Sequence, residues 1–106
     1  MNSATQNLIG TEIRKSETGG HLDLCLTWNE KGTHYRQIQA ATFRIAASLC
    51  ECSESFRWCI DPHADAGSLG RGVLGTFIRI EFCEGNAAEM TLAEILVRQV
   101  IAGIKG

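Results

Sequence analysis

Hydrophobic and polar residues alternate with a period of two in four segments of the chain, the pattern of half-buried β-strands. The first two segments are Leu8–Lys15 and residues 21–28, and the turn residues between them predict a hairpin. The third covers residues 56–61 and is expected to end at Pro62, because proline has no amide hydrogen for a strand ladder. The fourth covers residues 77–83 and is the most regular of the four.

Two further segments carry apolar residues at intervals of three and four, which predicts helices. The first begins near Thr33, and its apolar positions are Ile38, Ala41, Thr42, Ile45, Leu49 and Cys52. The second has two candidate start signals, Asn86 with Glu89 and Thr91 with Glu94, and either pair could cap the first turn. The sequence leaves that choice open.

The predicted order is strand, strand, helix, strand, strand, helix, in two halves that meet near Ser53. The halves share this pattern but show no matching residues. We predict a single α+β domain over residues 1–106, with one four-stranded antiparallel or mixed sheet and both helices on its apolar face. The strand order is not determined.

A long loop is predicted between the third and fourth strands, over residues 61–72. It contains polar residues suited to binding, namely Asp61, His63, Asp65, Ser68 and Arg71. Long loops in compact domains are usually either functional or mobile. The glycines from Gly70 to Gly75 precede a strand rather than a helix, so they predict a flexible or tight turn and not a phosphate-binding loop.

With helices on the apolar face, the other sheet face is expected to be open and polar. Its predicted members are His21, Asp23, Cys25, Arg57, Cys59, Asp61, Arg79, Glu81 and Cys83. One interpretation is a solvated face with cross-strand charge pairs. The other is a docking surface, because thiols and Phe77 lie among the charges. Dimerisation through this face would be its simplest form.

Composition narrows the range of partners. The 106 residues include 10 Lys and Arg against 12 Asp and Glu, a formal net charge of -2, which provides no positive field for nucleic acid. The longest apolar stretches are a few residues, far short of the roughly 20 that a membrane-spanning helix needs. We therefore expect a cytoplasmic protein that binds neither nucleic acid nor membrane.

The chain has five cysteines, an odd number without regular spacing, which favours reduced thiols over a disulfide framework. Four soft or borderline ligands within fourteen residues raise a zinc site as an alternative, namely Cys50, Cys52, Cys59 and His63. Two residues along a helix correspond to about 200° of rotation, so Cys50 and Cys52 would point apart. We expect no metal and no cofactor.

The leading functional hypothesis is a small protein-binding module, an inhibitor or adaptor that occupies a partner's surface through the open face and the 61–72 loop. The expected binding residues are His21, Asp23, Arg57, His63, Ser68, Arg71, Phe77, Arg79 and Glu81. The alternative is a small enzyme or ligand-binding domain with a pocket around His63, where Asp61 or Asp65 would complete an acid–base pair. A walled cavity containing His63 would favour the enzyme, and a flat face would favour recognition.

Overall fold

The computed structural model describes residues 7–105, and its elements follow the order ββαββα. They are β1 (Leu8–Lys15), β2 (His21–Asn29), α1 (Tyr35–Cys52), a 3-10 turn (Glu54–Phe56), β3 (Cys59–Gly70), β4 (Val73–Glu81) and α2 (Ala87–Lys105). The strands form one sheet in the order β1-β2-β4-β3, and every neighbouring pair is antiparallel. The predicted α+β class is confirmed, with an antiparallel rather than a mixed sheet.

The predicted 61–72 loop is wrong, because most of that segment is strand β3. Pro62 lies inside β3, opposite Ile78 of β4. An edge strand tolerates proline because one side of its backbone has no ladder partner to lose. The predicted third strand also began too early, since Phe56 ends the 3-10 turn and Arg57 follows it in a left-handed conformation at φ 58°.

The connection between β3 and β4 is a two-residue turn. Its residues, Arg71 and Gly72, both have positive φ values of 55° and 74°. Positive φ at both central positions is what a type I′ hairpin turn requires, and its twist matches that of the flanking strands. The tight turn expected from the glycine run is confirmed. The connection consists of these two residues instead of the predicted long loop.

Both helices begin at polar caps. At α1, the His34 ring nitrogen Nδ1 accepts a hydrogen bond from the Arg36 amide at 3.2 Å. At α2, the Asn86 side-chain oxygen accepts one from the Glu89 amide at 2.9 Å. The structure therefore uses the first of the two predicted start signals, and Thr91 lies inside the helix.

One hydrophobic core lies between the helices and a single face of the sheet. Alternate residues of β2 and β4 are buried in it: Leu22, Leu24, Leu26, Trp28, Leu74, Thr76, Ile78 and Ile80. The predicted helical stripe of α1 is buried from Ile38 to Leu49, whereas Cys52 at its end is exposed. Phe56, in the segment predicted as the third strand, is 37% exposed.

The two ββα halves are related by a constant offset along the chain. A separation of 52 residues relates His21 to Val73, the first residues of β2 and β4, and Tyr35 to Ala87, the first residues of the helices. β2 and β4 also have identical burial patterns. β1 and β3 are thus the equivalent outer strands of a pseudo-twofold arrangement.

Candidate functional site

The open face is the side of the sheet that points away from both helices, and strand register divides its central part into three rows. The charged row consists of Arg14, Asp23, Arg79 and Asp61, on adjacent strands. The mixed row consists of Glu12, Cys25, Phe77 and His63. The small-residue row consists of Gly10, Thr27, Gly75 and Gly67. Each row crosses all four strands.

The charged row alternates in sign from strand to strand. Arg79 donates two hydrogen bonds to the Asp23 carboxylate, each at 2.9 Å, in a bidentate geometry. Hydrogen bonding to Asp23 raises the pKa of Arg79 above its usual range. At the β3 end, Asp61 lies 3.1 Å from the His63 nitrogen Nε2. The charges compensate one another within the face, so the row provides polarity with little net field.

The mixed row has an aromatic pair at its centre. The His63 and Phe77 rings are stacked, with centroids 4.2 Å apart and planes 8° from parallel. The Arg79 guanidinium carbon lies 5.8 Å from the Phe77 centroid, within the range of a cation–π contact. Burial raises the pKa of the neighbouring Cys25 thiol, which favours the protonated thiol over the nucleophilic thiolate.

Three members of the small-residue row, Thr27, Gly67 and Gly75, form the floor of a groove. Gly75 has no side chain, and Leu69 covers the resulting space so closely that a Cβ at position 75 would lie 2.9 Å from the Leu69 Cδ1. The groove has a volume of about 260 Å³. Its lining residues are Glu12, Arg14, Cys25, Leu26, Thr27, Gly67, Ser68, Leu69, Gly75, Thr76 and Phe77. Leu69 and Phe77 thus provide apolar walls, Glu12 and Arg14 add charged groups, and the floor is made largely of backbone.

Leu69 reaches this position because β3 departs from regular pairing. Between His63 and Gly67 the strand contains two more residues than the matching stretch of β4, which forms a bulge around Ala64–Ala66. A second irregularity lies between Ser68 and Gly70, where Leu69 is the extra residue. Leu69 itself remains 63% exposed, although it is a large apolar side chain. Leu69 therefore belongs to the wall of the groove and not to the hydrophobic core.

The structure brings together most of the expected binding residues but separates two of them. The members placed on the open face are His21, Asp23, His63, Phe77, Arg79 and Glu81, and Ser68 lines the groove. Arg57 precedes β3, and Arg71 lies in the β3–β4 turn. These two arginines flank opposite ends of the nine-residue strand β4, roughly 30 Å apart at 3.4 Å per residue. Arg57 and Arg71 therefore do not join Phe77 and Arg79 in one patch.

The residues of the enzyme alternative are placed on an open surface. His63 and Asp61 contact each other, but the His63 side chain is 44% exposed and does not line the groove. Asp65 is exposed within the β3 bulge. The arrangement is a histidine on a broad sheet face rather than in a walled cavity.

The structure separates the four residues of the zinc alternative. Cys50 and Cys52 are exposed near the end of α1, while Cys59 and His63 belong to β3. Within residues 7–105, no group of three His, Cys, Asp or Glu side chains is placed to hold a metal ion. All five cysteines are free thiols.

Sequence reasoning missed most of the residues that line the groove, including Glu12, Arg14, Leu69 and Gly75. Gly75 was assigned to the glycine run before the fourth strand, whereas the structure places it inside β4. Leu69 could not be recognised because it was assigned to the predicted loop. Its place on the face depends on the irregularity between Ser68 and Gly70, where Leu69 is the extra residue of β3.

No family model matches the chain, and neither a search of curated proteins nor a search of solved structures finds a match. In the part of the chain that the structure describes, neither helix combines the length and the apolar character needed to cross a membrane.

Proposed function

We propose that this protein is a binding module that recognises a protein partner through its open face, as an inhibitor or adaptor that covers a surface of that partner. The observation that carries the proposal is the groove between Phe77 and Leu69, with Gly75 as its floor. Interfaces commonly concentrate their binding energy in a few side chains that fill such pockets. The expected occupant is one apolar side chain of the partner.

The residues around the groove favour a partner segment that is polar but weakly charged on either side of the apolar side chain that fills the groove. Asp23 and Arg79 already neutralise each other, as do Glu12 and Arg14, whose nearest atoms are 3.0 Å apart. A partner of strong net charge would gain little from these pairs. Exposed polar groups on the face, among them Asp61 and His63, remain able to form hydrogen bonds at the rim.

The free thiols support a reducing compartment, and we place this activity in the cytoplasm.

The test is affinity capture from a lysate of the native host with wild-type protein and two groove variants. Phe77→Ala removes one wall of the groove. Gly75→Ala adds a methyl group to the floor, too close to the Leu69 side chain for Leu69 to keep its position. Each has a matched control away from the face: Phe43→Ala removes an exposed phenylalanine of α1, and Gly103→Ala adds a methyl group in open space on α2. We expect a stoichiometric protein partner whose affinity falls about tenfold or more in both groove variants.

The controls should bind the partner as tightly as the wild type. A partner retained equally by all five proteins would refute a role for the groove. Absence of any partner, together with a small molecule that shifts the NMR signals of His63, would replace the proposal with the ligand-binding alternative.

A further inference from the structure

The sheet has two outer strands, and β3 is poorly suited to accept another strand. Pro62 lacks an amide hydrogen, and the bulge at Ala64–Ala66 interrupts the regular spacing of backbone groups. The Tyr35 hydroxyl also donates a hydrogen bond to the Ala66 carbonyl. Proline, bulges and covering side chains are the usual means by which an edge strand is protected from pairing.

The equivalent strand of the other half, β1, has no such protection over most of its length. Its register with β2 is regular from Gly10 to Lys15, and the only irregularity lies between Leu8 and Gly10. That regular stretch contains no proline. Within residues 7–105, no strand pairs with the outer side of β1.

The charges of β1 are complementary to themselves in one register. Glu12 and Arg14 both lie on the open face, with side chains 61% and 69% exposed. In an antiparallel pair of two β1 strands centred on Ile13, Glu12 of each copy lies opposite Arg14 of the other. Opposite charges in such cross-strand positions are stabilising.

The neighbouring registers are disfavoured. A pair centred on Glu12 places two glutamates opposite each other, and a pair centred on Arg14 places two arginines opposite each other. Registers that differ by one residue would turn the open face of one copy toward the helix side of the other. The pairing about Ile13 also continues the charged row, because Asp61, Arg79, Asp23 and Arg14 are then followed by Glu12 of the second copy.

The helix side of β1 supports the same contact. Ile13 and Ile101 are only partly buried against the core. They line an open groove of about 400 Å³ between β1 and α2, together with Thr11, Arg98 and Ala102. In the Ile13-centred pair, the two Ile13 side chains face each other on this side and the two α2 helices flank the junction. Apolar surface left open beside a free edge would then be covered.

We propose that two copies of this chain associate through their β1 strands, antiparallel and centred on Ile13, to form one continuous eight-stranded sheet. This contact goes beyond the proposed function and uses the free backbone edge of β1, although Glu12 and Arg14 also line the Phe77 groove. The open faces of both copies lie on the same side of the joined sheet, so the dimer would present two grooves to a partner.

The test is a charge-swap experiment, measured by analytical ultracentrifugation and native mass spectrometry. We expect the wild type to form a species of twice its 11.6 kDa mass. Glu12→Arg alone and Arg14→Glu alone each replace two attractive cross-strand pairs of the dimer with two repulsive pairs, so each should weaken self-association about tenfold or more. Mixing the two variants restores opposite charges across the junction and should restore a heterodimer.

Matched controls carry the same charge changes on exposed positions of α1, as Glu51→Arg and Arg44→Glu, and should dimerise like the wild type. Circular dichroism checks that all variants remain folded. A wild type that stays monomeric at millimolar concentration would overturn the proposal. So would a dimer that neither single variant weakens, or single variants that do not complement each other. Self-association is measured on the purified chain without a partner, so its failure is distinguishable from failure of the groove, which is tested by partner capture with the Phe77 and Gly75 variants.

Discussion

The Trp28 indole nitrogen Nε1 donates a hydrogen bond to the Thr76 hydroxyl at 2.8 Å, inside the core and across the two central strands. The Thr76 oxygen lies 3.0 Å from that of Thr42 in α1, and the Thr42 hydroxyl donates to the Ile38 carbonyl at 2.8 Å. Each hydroxyl has a single proton. Because the Thr42 proton is used on Ile38, the Thr76 proton is directed at Thr42, and the chain of bonds runs from sheet to helix.

Thr76→Val should lower the free energy of unfolding by about 1–3 kcal/mol, because it leaves the buried Trp28 N–H without an acceptor. The valine side chain has nearly the same shape, so the loss reflects hydrogen bonding rather than a cavity. Urea denaturation monitored by tryptophan fluorescence gives the measurement. Thr91→Val, on an exposed position of α2, is the control and should change stability by less than about 0.5 kcal/mol. A Thr76→Val protein as stable as the wild type would show that the chain of bonds contributes little.

Arg71→Asn should stabilise the protein by about 0.5–1 kcal/mol. Arg71 has a positive φ of 55°, a left-handed conformation that costs most side chains about 1 kcal/mol and that asparagine adopts readily. The substitution creates an Asn-Gly turn, the preferred sequence for a type I′ hairpin. The melting temperature from circular dichroism is the measurement, and Arg71→Lys, which keeps the strain, should leave it unchanged. A lower melting temperature for the asparagine variant would contradict this explanation of the turn.

Glu94→Gln should reduce the acid sensitivity of the fold. Hydrogen bonds from Lys15 and then Arg98 lower the pKa of Glu94 in the folded protein. A lowered folded-state pKa means that the stabilisation is present above the unfolded value of about 4.5 and is lost as pH falls through the folded value. Unfolding midpoints measured from pH 7 to pH 2 should therefore fall less steeply for Glu94→Gln than for the wild type. Glu51→Gln, on an exposed position of α1, is the control, and equal slopes for wild type and Glu94→Gln would contradict the prediction.

Asn86→Ala should destabilise the protein by about 1 kcal/mol, because the Asn86 side chain accepts the Glu89 amide hydrogen at the start of α2. Thr91→Ala should change stability by less than about 0.5 kcal/mol, since Thr91 lies inside the helix, where alanine is the better helix former. Thermal unfolding of both variants distinguishes the two start signals. A larger loss for Thr91→Ala would mean that α2 begins later than residue 87.

The pattern of apolar residues was sufficient to predict four strands, both helices and the burial of alternate residues in β2 and in the second half of β4, although it placed the start of β4 at residue 77 instead of Val73. Those features depend on local spacing, which a sequence displays directly. The apolar pattern did not predict β3 correctly, because Pro62 and several small polar residues in that segment are typical of a loop. The strand exists because β4 offers a partner along its whole length and because an edge position tolerates proline.

The candidate site was only partly predictable for the same reason. Period-two alternation placed Asp23, Phe77 and Arg79 on the open face, because residues two apart in a strand share a face. The stack of His63 on Phe77 and the cover of Leu69 over Gly75 depend on register between strands and on a bulge, and neither is a local property. A shift of one residue in pairing would have moved His63 to the other face.

The sequence by itself therefore determined the class of this protein: four strands, two helices, one apolar face and a weakly acidic surface, all set by periodicity and composition. Only the tertiary structure decided the strand order, the extent of β3 and the three rows of the open face. Strand order and register depend on contacts between residues that are distant in the chain. No local pattern of residues reveals the free energy of those contacts.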